Sequence, residues 1–189
     1  MKRIIGKILS FLDYYKKRSI SSYQRSQFFR NKKSTIHPTF RWGEDNHLYL
    51  HPEAEFHFAE NTEINQANFI TVKKGGKLTL GKGTYITRAT ISCLGEIEIG
   101  ENCILGEGMK IFDHNHQYTK QPFSVSKTDF NVGKVKIGNN VWTGANVIIL
   151  KDVTIGDNVI LGAGCVIYKD VPANSVIINK QEQKLFSVN

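Results

Sequence analysis

The chain has 189 residues, 40% of them hydrophobic, with a formal net charge of +8; that length makes one domain with a sizeable core the default. No apolar run reaches the ~20 residues of a membrane span. Cys93, Cys103 and Cys165 are an odd number without framework spacing, which argues against a disulfide scaffold and fits buried thiols in a reducing cytoplasm.

The charge is unevenly placed. Residues 1–33 hold ten Lys or Arg against Asp13 alone, a net of +9, which leaves the other 156 residues at −1. Within this arm Ile4, Ile5, Ile8, Leu9, Leu12 and Tyr15 fall at i, i+3, i+4 spacing, predicting a basic amphipathic helix over about residues 1–30. Such a helix suits two roles: docking on its own body or a neighbouring subunit, or lying on an anionic membrane surface. Its aromatics interleave with charge but carry no nucleic-acid motif, so no nucleic-acid partner is expected. MKRIIGKILSFL lacks a small-residue cleavage site and is interrupted by Lys7, so no signal peptide is read.

Residues 34–76 alternate at Leu48–Leu50, Ala54–Phe58 and Phe69–Val72 and read as degenerate first coils of a larger body. From Lys77 a form recurs: Lys77–Gly81, Glu96–Gly100, Lys134–Gly138 and Asp152–Gly156 begin 19, 38 and 18 residues apart. The long interval is one coil plus about twenty extra residues, which must leave the body as a loop at about 112–133. Polar composition, Pro122 and the lost period agree, and a long loop in a compact body is usually functional.

Residues 137–172 show the period best. Every sixth position is Ile137, Thr143, Ile149, Ile155, Leu161 and Ile167; the next residue is Gly at 138, 144, 156 and 162; the fifth position is Val141, Val147, Val153, Val159, Cys165 and Val171. A period of six fits neither a helix nor a simple strand. It fits a short strand, a corner and a repeat, with three sides making a coil of about eighteen residues, and coils stacking as a parallel β-helix. The aliphatic points inward, and the following Gly is read as serving the bend. Residues eighteen apart stack outside, so Trp142 lies over Ile160 and Ile148 over Val166, while Thr154 and Pro172 stand on a blander third face. Apolar stripes on a solenoid require cover.

This pattern, with the closing run LGAGCVIYKDVPANSV, resembles the hexapeptide-repeat acyltransferases, in particular the galactoside, maltose and capsule polysaccharide O-acetyltransferases, over roughly residues 78–176. The resemblance implies a left-handed parallel β-helix at 34–176, between the arm at 1–33 and a tail at 177–189. It also implies a homotrimer, with sites at the subunit grooves, and acetyl-CoA as co-substrate. In these enzymes a histidine at the start of the extended loop is the general base, and the matching position is His116, with His114 as near rival. Histidine suits the task because its ordinary pKa is near neutral, and Asp113 is placed to orient an imidazole. Trp142 matches a tryptophan near the thioester, whose indole N–H could serve a developing oxyanion; interface packing is its other reading. Ala145 and Ala163 match positions along the pantetheine arm, and Tyr168 and Lys169 the pair near the nucleotide phosphates. Lys180 and Lys184 stand in for a basic tail that departs from the usual pattern. Thr87 stands where small-sugar members place an acceptor-contacting asparagine. Ser92-Cys93-Leu94 offers no carboxylate where those members use one, which argues against a galactoside or maltose acceptor.

The expected activity is acetyl transfer from acetyl-CoA to a sugar hydroxyl of a surface polysaccharide or its precursor, in the cytoplasm or on the inner membrane face, with no metal. Two alternatives use the same fold. A γ-carbonic-anhydrase-like metal hydrolyase would take His114 and His116 as zinc ligands but needs a third ligand from a neighbouring coil. A non-catalytic trimeric scaffold would need neither the loop histidines nor the closing run.

Overall fold

In a computed structural model, the structure describes residues 33–182 and 184–187; the expected helical arm lies almost wholly outside them. The chain winds into an all-β parallel solenoid of three sheets around one core. The first sheet stacks Thr35–Ile36, Glu55–Phe58, Lys77–Leu80, Glu96–Ile99, Lys134–Ile137 and Val153–Ile155. The second runs from Arg41–Trp42 to Val176–Ile177, and the third from His47–Leu50 to Val166–Ile167. Each coil visits them in that order. Among the described residues no helix is long and apolar enough to cross a membrane.

The inward positions are those the sixfold period picks out. Ile137, Thr143, Ile149, Leu161 and the fifth-position Val147 and Val159 are wholly buried. Each buried aliphatic contributes about 1.5–3 kcal/mol relative to exposure. Thr143, the polar member of the series, accepts the Gly106 N–H at 2.9 Å and turns its hydroxyl to the Met109 sulfur at 3.4 Å. Cys93, Cys103 and Cys165 are free, buried thiols.

The glycines after the aliphatic do not serve the bend. The left-handed residues stand two places later: Asn140 at φ 55°, Asn146 at 56°, Asp152 at 63°, Asn158 at 57° and Gly164 at 70°. Asparagine and aspartate tolerate this region where other side chains resist it. The corner asparagines also join the coils, Asn140 donating to Asn158 at 3.0 Å and Asn158 to Asn174 at 2.9 Å. Gly138, Gly144 and Gly156 are needed for close approach. A Cβ on Gly144 would sit 2.7 Å from the Ala163 nitrogen, and one on Gly156 2.4 Å from the Ala173 nitrogen.

Coil length explains why the early coils are hard to read. Ser34 bonds Phe56 22 residues on, whereas Asp152 bonds Lys134 at a separation of 18. The longer coils fill their wider core with Phe56 and Phe58, against which Phe40 packs at 5.1 Å.

The twenty-odd extra residues leave between the third and first sheets. They form an antiparallel hairpin, His114–Lys120 paired with Phe123–Val132, with a bulge between His116 and Tyr118. The expectation of an extruded loop is right in place and incomplete in form. Phe123, Val125, Phe130 and Val132 supply strand-forming residues that a reading for composition passes over.

Candidate active site

The hairpin root is built on Asp113. Its carboxylate is fully buried. It accepts the Leu94 N–H at 3.0 Å to each oxygen, the Gly95 N–H at 2.7 Å and the His114 Nδ1–H at 2.9 Å. Gly133 N–H donates to the Asp113 carbonyl at 2.7 Å and closes the neck. Gly95 lies directly beneath: a Cβ there would meet the Gly133 carbonyl oxygen at 2.4 Å. Ser92-Cys93-Leu94 thus carries no carboxylate of its own but receives one from the next coil.

His114 and His116 point to one side of the hairpin, both against Phe130, with ring centroids 5.2 and 4.6 Å away. The side chain of His114 is 13% exposed, while His116 is open to solvent. His116 Nδ1 lies 2.9 Å from the Ser126 carbonyl oxygen. A carboxylate and a carbonyl can only accept, so Nδ1 of each imidazole is the donor, and in the neutral ring the lone pair stands on Nε2. The two rings are therefore held in the tautomer a general base requires. Asp113 orients His114, not His116; sequence spacing could not show this.

Cysteine is a poor candidate nucleophile here. Burial, reinforced by the charge of Asp113 and its hydrogen bond, pushes the Cys93 thiol far above its ordinary pKa, and burial raises Cys103. Among the described residues no group of three His, Cys, Asp or Glu side chains is arranged to hold a metal ion.

The remaining candidates divide between two edges of the third sheet. Tyr168 and Lys169 follow Val166–Ile167 on the same edge as the hairpin, both exposed, with Lys169 Nζ 5.7 Å from the Tyr168 ring centroid. Thr87, Ala145 and Ala163 lie at the opposite edge, where the second sheet turns into the third. Trp142 is 51% exposed on the outer face of the second sheet, paired between Ile104 and Ile160. The second sheet is the side of the solenoid away from the hairpin edge. One chain therefore holds its candidate residues in two groups a sheet width apart.

Residues 134–169 match the family model described as bacterial transferase hexapeptide (six repeats). The solenoid is similar to a maltose O-acetyltransferase from Clostridium difficile, at 25% identity over 77% of this chain and 65% of that one, TM-score 0.51. It is also similar to a polySia-specific acetyltransferase, at 20% identity over 75% and 66%, TM-score 0.49. A hexapeptide-repeat acetyltransferase from Vibrio cholerae, complexed with acetyl coenzyme A, matches at 21% identity over 82% and 69%, TM-score 0.48. The chain thus spans just under two thirds of the length of the first two. No curated protein matches in sequence. Residues 134–169 thus carry the bacterial transferase hexapeptide repeat, wound into a parallel β-helix.

Proposed function

We propose that this protein is an acetyl-CoA-dependent O-acetyltransferase acting on a sugar hydroxyl of a surface polysaccharide or its precursor. The observation that carries the reading is the pair of imidazoles at the hairpin root, each with Nδ1 committed, so that the neutral ring offers Nε2 as the base. The likeness to a maltose O-acetyltransferase supports the class of reaction. His116, the exposed ring, takes the proton from the acceptor hydroxyl while the oxygen attacks the thioester carbonyl. The tetrahedral intermediate collapses, the C–S bond breaks, and the CoA sulfur leaves with the proton returned by the imidazolium. His114, held by Asp113, is the inner ring behind it. A base so placed contributes about 100- to 10,000-fold.

The division of candidates between two edges supports a closed homotrimer, in which the hairpin edge of one copy meets Trp142, Ala145 and Ala163 of the next. Trp142 then serves the oxyanion, the two alanines leave room for pantetheine, and Tyr168 and Lys169 meet the nucleotide. Thr87 contacts the acceptor. The basic residues 1–33 bring the enzyme to the anionic inner face of the membrane. Unchanged vesicle partitioning after deletion of residues 1–30 removes that last element.

The deciding experiment is thiol release from acetyl-CoA across a panel of saccharides. Release with one acceptor, reduced at least about a hundredfold in His116→Ala, supports reaction and base together. Full activity in His116→Ala with loss in His114→Ala moves the base inward. Absence of CoA binding by calorimetry overturns the reading.

A further inference from the structure

The hairpin divides the outer face of the third sheet into two chemically different halves. Beyond it, towards the C-terminus, the outward rungs are Ile148 and Val166. Before it, one ladder runs His47, Phe69, Thr90, Lys110 and its neighbour runs Tyr49, Thr71, Ser92, Phe112, ending where the hairpin leaves. Tyr49 is 54% and Phe69 55% exposed. His47 stacks on Phe69 with centroids 4.6 Å apart and planes 6° from parallel, and Lys73 Nζ lies 4.7 Å over the Tyr49 ring. None of these side chains faces the core. The eight outward residues include a lysine and no carboxylate. At the far edge the face borders a groove of about 620 Å³ lined by Phe69, Arg88, Thr90, Glu107 and Ala145, where Arg88 is paired with Glu107 at 3.1 Å; this groove holds Ala145 and is no part of the face itself.

The first two rungs carry aromatic rings, His47 with Tyr49 and then Phe69 beside Thr71, the third carries the hydroxyls of Thr90 and Ser92, and the fourth carries Phe112 beside Lys110; rings and hydroxyls so placed match the two sides of a pyranose, an apolar C–H face and a polar hydroxyl edge. Rungs repeat at the strand spacing of about 4.8 Å, close to the rise of one sugar, and Tyr49 is three rungs, about 14 Å, from Phe112. We propose that this half of the third sheet is a binding track for an extended acidic glycan, one sugar to a rung, which delivers its reacting residue to the histidines at the hairpin root. The acceptor is then a chain of three or more sugars rather than a mono- or disaccharide, and Lys73 and Lys110 select for its negative charge. The delivery step rests on the transferase reading; the track itself does not.

The test is calorimetric binding of oligogalacturonides of one, two, four and six residues, with malto-oligosaccharides of equal length as the neutral comparison. The acidic series should tighten by about tenfold or more between two and four residues, a gain of about 1.4 kcal/mol, and exceed the neutral series. Tyr49→Ala and Phe69→Ala should each lose about tenfold at four residues, with melting temperature unchanged because both side chains point outward, and with CoA affinity unchanged in Tyr49→Ala, which lies away from the groove that holds Ala145. Length-independent binding, neutral binding as tight as acidic, or affinity intact in both variants overturns the track. A change of oligomeric mass in either variant also overturns it, because the face is then a subunit contact. Loss of CoA binding in the wild type refutes the transferase reading and leaves the glycan result to be judged by itself.

Discussion

The first and second sheets share one inward pattern and differ in everything they turn outward. On the first, Glu55, Lys77, Glu96 and Lys134 alternate in sign from strand to strand, with Glu96 bonded to Lys134 at 2.6 Å and near Lys77 at 3.6 Å. Lys136 and Glu98 repeat the arrangement alongside. On the second, the Arg41–Glu63 ion pair gives way to Tyr85, Ile104, Trp142, Ile160 and Val176. Adjacent opposite charges stabilise a ladder that faces water, whereas a continuous apolar ladder gains only by being covered. Because the core is set by the inward positions alone, the outward ones are free to record what lies against each face.

What the two faces share is most easily lost. Gly144→Ala places a Cβ within 2.7 Å of the next coil's backbone and should lower stability by about 2–4 kcal/mol in denaturant unfolding. Trp142→Asp gives the second face the chemistry of the first; the proposed trimer should then fall to monomer mass in light scattering, with the solenoid intact by circular dichroism. Lys134→Glu sets like charges on neighbouring strands beside Glu96, and should lower the melting temperature by a few degrees, an effect that salt reduces. The smallest effect is at Glu96. Its hydrogen bond to Lys134 holds the carboxyl below the ordinary value. The stabilisation is therefore present above the unfolded carboxyl's pKa and is lost as pH falls through the lowered one. Glu96→Gln should lower stability slightly at neutral pH and leave it unchanged at low pH, so that this acid limb of the melting curve flattens.

Much of this was legible in the residues. A period of six needs only the alternation of Ile, Gly and Val to declare itself, and the spacings of 19, 38 and 18 give the strand pairings and the site of the excursion. Gly144 was visible as a requirement but its reason was not, since the approach of another coil leaves no local mark. The early coils resisted because their turns are 22 residues long and their core is aromatic. Asp113 and the histidines were visible as a cluster, but which ring the carboxylate holds depends on side-chain direction across the neck of a hairpin. The sorting of candidates to two edges of one sheet required the winding itself.

The neck between Asp113 and Gly133 has a further consequence. Glu96 to Ile99 pair with Lys134 to Ile137 in unbroken register, so the solenoid is continuous through space where the chain is not. Covalent linkage across the hairpin tip is then dispensable: a protein made as two separate polypeptides, divided after Gln121, should reassemble from its halves.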